Sequence, residues 1–248
     1  MSGRLPALLA LAIVTAASAA GRADEGQTFS SGSEQVALVE LYTSEGCSSC
    51  PPADRWLSRL DGDADLWARF VPVAFHVDYW DYIGWQDRFA ERAHSDRQRR
   101  YIDEGAARVV YTPGMFVAGQ EWLDWRRGDD PPHGRAKPGE LTVRVDDGSV
   151  AVQFAPSMRK DAALRVHVAI LGMGLESDVT RGENRGRRLQ HDFVVLDHKE
   201  LRMTRSSAGY KAIAALDDAG SDGSRALAVW VSAADSLTPI QATGGLLN

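Results

Sequence analysis

Residues 39–54 read VELYTSEGCSSCPPAD: an apolar run, a turn, two cysteines and two prolines. The apolar run starts at Val36 and ends at Tyr42, which is strand length and carries no helical period. Thr43, Ser44, Glu45 and Gly46 are turn and cap residues. Pro51 and Pro52 suit the first turn of a helix, where a missing N–H leaves no bond unmade. Trp56, Leu57 and Leu60 then recur at helical spacing. The expected order is strand, turn, Cys-x-x-Cys, helix. A cysteine at a helix start is chemically distinct, because the unpaired N–H groups and positive dipole end stabilise a thiolate. The two-residue spacing lets the thiols close a small disulfide. Cys47, the first and more exposed thiol, is the expected nucleophile, and Cys50 resolves the mixed disulfide it forms.

The chain of 248 residues has no other cysteine. A disulfide-dense scaffold and a four-thiolate metal site are thereby excluded. With 44% hydrophobic and 25% charged residues, the composition is that of an ordinary folded protein. The net charge of -6 argues against an electrostatic nucleic-acid partner. Residues 1–23 read as a secretory signal peptide, with Arg4 ahead of the apolar run Leu5–Val14 and then small residues including Ala17-Ser18-Ala19. That run is too short to span a bilayer, and no later segment is a membrane-span candidate. The expected product is an exported protein, periplasmic or secreted, whose cysteines meet an oxidising or enzymatically poised compartment.

Working outward, residues 70–77 (FVPVAFHV) form a second strand candidate. A polar helix is expected over about 86–104, with Phe89, Ala93 and Tyr101 as its sparse apolar positions and residues 98–100 on a solvated face. Thr112-Pro113 stands just before a further strand at 115–119. The composition shift over 126–139 (RRGDDPPHGRAKPG) marks a domain boundary. Beyond it the period becomes two: Leu141, Val143 and Val145, then a turn at Asp147-Gly148, then Val150, Val152 and Phe154. Leu164–Ile170 and Leu189–Val195 repeat the alternation, and Ala226–Val231 is a last strand. The fold expected is an α/β domain over 34–128, followed by a mostly antiparallel, sandwich-like β domain over 139–245.

The Cys47–Pro51 segment, the preceding strand and Thr112-Pro113 resemble the thioredoxin superfamily. Together with AFHVDYWDYIGW (74–85), YTPGMFVAG (111–119) and RGENRGR (181–187), they resemble more narrowly an exported, uncharacterised thioredoxin-like family, domain of unknown function 1223. The resemblance implies a thioredoxin-like fold for 34–128 with Pro113 as a cis-proline. It supplies no substrate and no cofactor. One departure stands out: six residues before Cys47 is Leu41, where a buried acid would serve as proton relay. Glu40 is adjacent, but strand alternation points it to the other face.

Strand ends on one edge of an open α/β sheet line a crevice, so His76, Asp78, Trp80 and Asp81 are candidates to border the cysteines, with Thr112 beside Pro113. His76 either stabilises the Cys47 thiolate, ligates a metal or is an ordinary hydrogen-bonded strand residue. Trp80 and Trp85 read as packing residues. The arginines of 181–188 read as a solvated turn or an interdomain salt bridge ahead of an anion site. His133, His167, His191 and His198 show no ligand spacing. The leading function is thiol–disulfide exchange with protein or small-molecule thiols and disulfides through Cys47 and Cys50. The alternatives are a binding module with a structural disulfide, and a Cu(I) carrier using Cys47, Cys50 and His76.

Overall fold

The structure, a computed structural model, describes residues 26–146, 148–158, 162–216 and 223–248. The expected signal segment and Asp147 lie outside the described residues. In chain order the strands are β1 (Gln27–Ser30), β2 (Ala37–Thr43), β3 (Phe70–His76), β4 (Gly114–Val117), β5 (Gln120–Glu121), β6 (Gly139–Asp146), β7 (Ser149–Pro156), β8 (Leu164–Met173), β9 (Leu175–Asp178), β10 (Arg188–His191), β11 (Val194–Arg202), β12 (Thr204–Ser206), β13 (Gly209–Ala215), β14 (Ser224–Ala233) and β15 (Pro239–Leu246). Helix α1 spans Pro51–Ser58 and α2 spans Arg92–Asp103, with 3-10 turns at Arg59–Gly62, Asp78–Ile83 and Asp124–Arg127.

The chain is β-rich, and its largest sheet has eight strands in the order β15-β14-β8-β11-β3-β2-β4-β5. Strands from both sides of the 126–139 stretch share this sheet. They meet where β11 runs parallel to β3, and the Ala74 N–H donates to Phe193 O at 2.8 Å. β2 lies between parallel β3 and antiparallel β4. All seven of its residues are buried, which explains why it reads as a continuous apolar run instead of an alternating one. A five-stranded sheet, β1-β6-β7-β13-β12, packs through Leu141, Val143, Val152 and Phe154 against Val166, Val168, Val229 and Val231 of the larger sheet. Period-two patterning in β6 and β7 follows from having one face in that interface and the other in water.

Two local expectations are corrected. The polar helix begins at Arg92, not Gln86, because Asp87 is drawn inward by His76 before the helix starts. Its inner face is polar: His94, Ser95, Arg97, Gln98 and Tyr101 are buried, so Gln98 is not on a solvated face. The run expected over 189–195 is two strands, because Phe193 takes a φ of +58° and breaks it. β10 then pairs only with β9, and β11 joins the large sheet.

Candidate functional site

β2 delivers the chain to the turn Ser44–Cys50, and α1 begins directly behind it. Cys47 and Cys50 are joined in a disulfide with Cα atoms 5.4 Å apart. Cys50 is the N-cap of α1, and the Ala53 and Asp54 N–H groups donate to its carbonyl at 2.8 and 3.1 Å. Both cysteines are 0% exposed, whereas Ser48 and Ser49 between them face solvent. The Cys47 sulfur lies 3.2 Å from Ser49 Oγ.

Pairing of Tyr42 with Gly114 sets β4 beside β2 and brings Thr112-Pro113, a cis peptide, to the same end of the sheet. Trp80 bridges the two segments. Its Nε1–H donates to Thr112 Oγ1 at 2.7 Å, and its Cβ lies 3.1 Å from where a Cβ on Gly46 would sit. Any side chain at Gly46 would therefore press on Trp80. Asp78 is engaged by α2: its N–H donates to Ser95 Oγ at 3.2 Å, and the Ser95 hydroxyl donates to its carboxylate. Asp81 accepts from the Asp87 N–H at 3.2 Å and so shapes the 81–87 loop. Burial raises the Asp81 carboxyl above its ordinary range.

His76, at the end of β3, is fully buried in a charged cluster around the start of α1. Its Nδ1 is 2.7 Å from Asp87 Oδ2, and its ring is 5.0 Å from that of His191. Burial by itself lowers the affinity of His76 for a proton; the Asp87 carboxylate overrides this and raises it above the ordinary value. Asp87 is correspondingly lowered: His76 and the N–H groups of Glu45 and Phe89 outweigh its burial. Glu45 accepts from Trp85 Nε1 at 2.8 Å and lies 3.4 Å from His191 Nε2. Its burial would raise it, but the bonds from His191, Ser177 and Trp85 bring it below the ordinary value. Asp54, one helical turn beyond Cys50, accepts from Thr43 Oγ1 at 2.8 Å and is raised by burial despite the nearby histidines.

Glu40 lies on the other face of β2. Arg97 donates to its Oε1 through Nε and Nη2 at 2.9 and 2.8 Å, and Tyr101 donates to its Oε2. It is therefore a core ion pair away from the disulfide turn.

Four residues of this site carried no signal as ligands or acids in the sequence. Asp87, Asp54 and His191 sit at separate points of the chain and meet only through sheet registry. Asn184 belongs to the 181–187 motif, but its arginines suggested the chemistry. In the structure the amide does the contacting: Asn184 Nδ2 donates to the carbonyls of Glu45 and Cys47 at 2.8 and 3.0 Å. Among the described residues, one group has three potential metal-ligand atoms within 4.8 Å of one another: His167, His198 and Glu200. Arg100, Arg165 and Arg97 lie 3.3, 3.2 and 3.8 Å from Glu200, so the carboxylate is already neutralised by cations.

A family model described as a protein of unknown function, DUF1223, matches residues 38–232. The chain belongs to that family. This DUF1223 protein is also similar to a crystal structure from Agrobacterium tumefaciens, with 23% identity and a TM-score of 0.61, covering 86% of this chain and 95% of that one. Similarity extends to HBP35 of Porphyromonas gingivalis at 15% identity and a TM-score of 0.56, covering 87% and 76%. Both likenesses concern the fold alone. No curated protein matches this DUF1223 chain. Among its described residues no helix is long and apolar enough to cross a membrane.

Proposed function

We propose that this DUF1223 protein is an exported, thioredoxin-like thiol–disulfide oxidoreductase that acts on protein or small-molecule thiols and disulfides. The carrying observation is the Cys47–Cys50 disulfide at the N-terminus of α1, directly after β2. The neighbouring Thr112-Pro113 segment, fastened through Trp80, supports the thioredoxin-like reading of 34–128.

In the oxidised state a partner thiolate attacks Cys47 Sγ and displaces Cys50 as a thiolate, which takes up a proton. A second partner thiolate then attacks the partner's sulfur in the mixed disulfide and releases Cys47 as a thiolate. The partner leaves as a disulfide, and two electrons remain on the protein. In the reverse direction the Cys47 thiolate opens a partner disulfide, and Cys50 resolves the intermediate. The helix terminus favours each thiolate as it forms.

The test is trapping. Reduced Cys50→Ser protein accumulates mixed disulfides with partners, and Cys47→Ser does not, as read on non-reducing gels with mass-spectrometric identification. No adduct with either variant defeats the proposal.

A second reading, a binding module whose disulfide is structural, draws support from the complete burial of both sulfurs. The Cu(I) reading needs the reduced pair together with His76. It predicts stoichiometric copper on reduced protein, lost in His76→Ala.

A further inference from the structure

A distant piece of chain is hydrogen-bonded to the turn that carries the buried disulfide. β9 and β10 form a two-stranded hairpin that is not part of either larger sheet. Its tip, residues 179–187, folds back on itself: the Val179 N–H donates to Arg187 O at 2.9 Å and the Gly186 N–H to Val179 O at 2.7 Å. That tip sits on the cysteine turn. Asn184, itself 0% exposed, spans 137 residues of sequence to reach the Cys47 carbonyl. Arg187 Nη1 donates to Asn184 Oδ1 at 3.0 Å, which fixes the amide with its NH2 toward the turn. The Ser48 N–H donates to Glu183 Oε2 at 3.0 Å. Gly182, at a φ of +70°, brings the backbone close to Ile83 and Trp85, where an added Cβ would stand 3.3 Å from each.

A thiolate displaces one sulfur from another by approaching along the S–S axis, so a reducible disulfide needs a clear path to one sulfur. Here neither cysteine has exposed surface. We infer that the 179–187 tip is a lid, latched by Asn184 and Glu183 over the Cys47–Cys50 disulfide, and that it lifts before a thiol can react.

The base of the hairpin is anchored to the rest of the fold. Phe193 O accepts from the Ala74 N–H at 2.8 Å, and His191 sits 3.4 Å from Glu45. Three bonds run from side chains of the tip to backbone groups of the turn, two of them between uncharged groups. Losing bonds of this kind shifts an opening equilibrium by about three- to tenfold each. Glu183, Arg185 and Arg187 are exposed, whereas Val179 and Asn184 are buried, so lifting the tip uncovers these two side chains together with the turn. The lid rests on the oxidoreductase reading for its purpose, although the covering itself is testable by chemical reduction alone.

The experiment follows reduction of the oxidised full chain by excess dithiothreitol, with alkylation quenching and mass readout of free thiols. Asn184→Ala is expected to react about tenfold faster or more than the parent. Glu183→Ala is expected to react about threefold faster, and Arg185→Ala at the parental rate. Parental rates in both Asn184→Ala and Glu183→Ala overturn the lid. Because Glu183 is at the surface, Glu183→Ala decides alone if Asn184→Ala does not fold. Mixed-disulfide trapping separates the two ideas. Faster reduction without trapped partners leaves the lid standing and sinks the oxidoreductase. Trapped partners with unchanged reduction rates do the reverse.

Discussion

Arg97→Ala lowers the stability of the chain by about 3–5 kcal/mol, the usual cost of stripping the partner from a buried charge. Arg97 is 3% exposed and Glu40 is 0% exposed. Burial opposes the charge of Arg97, and the Glu40 carboxylate more than compensates, raising the guanidinium further. The same carboxylate, after burial, raises the hydroxyls of Tyr42 and Tyr101 well above their usual value, so both remain donors. Arg97 also lies over the rings of Phe75, Tyr101 and Trp230 at 5.3–5.8 Å. It thereby ties α2 and β2 to β14 of the C-terminal half. Removing it leaves the Glu40 carboxyl buried without its cation. Thermal unfolding should fall by on the order of 10 °C. Glu40→Gln with Arg97→Met should recover most of the loss, since the amide still accepts from the tyrosines and no lone charge remains. A loss below about 1 kcal/mol for Arg97→Ala would show that the pair does not hold the halves together.

Asp87→Asn costs about 2–3 kcal/mol near pH 5.5, and much less at pH 8 and above. The sign follows from the two shifts. His76 binds its proton more tightly when folded, so its contribution is complete below the ordinary histidine value and is lost as pH rises through its raised native one. Asp87 is lowered when folded, so its contribution is present above the ordinary carboxylate value and is lost as pH falls through its lowered native one. The pair therefore contributes most between about pH 4 and pH 6.5. Other histidines work oppositely. Burial pushes His94 down to about 4, and burial together with Arg97 lowers His167 and His198. Each of these destabilises the fold as pH drops below the ordinary histidine value. The informative quantity is accordingly the difference between parent and variant in denaturant unfolding across pH 5–9. A difference that does not change with pH would mean that His76 carries no proton in the fold.

The strand pattern was legible because it depends on neighbours. β3, β6, β7, β8 and β14 fall where the apolar runs and period-two alternation place them. What escaped depends on pairs far apart in sequence. The charges of α2 read as a solvated face because the partner of Arg97 lies 57 residues upstream, at Glu40. No pattern within the 189–195 run marks Phe193 as its break; the break arises because the chain must leave a hairpin and enter the large sheet. Cys47, Cys50, Thr112 and Trp80 do gather at one end of β2, while Asp78 turns toward α2. Asn184 was visible only as the uncharged amide in an arginine-rich loop. A buried amide that satisfies two backbone carbonyls has no signature of its own, because the need lies in the carbonyls.

In the proposed oxidoreductase the Cys47–Cys50 pair is exchanged rather than fixed. Equilibration of the full chain in glutathione or dithiothreitol buffers of known poise gives its reduction potential directly. A catalytic pair should equilibrate between about -120 and -270 mV. A potential below about -300 mV, in the range of structural disulfides, would mean that the pair is fixed and not exchanged.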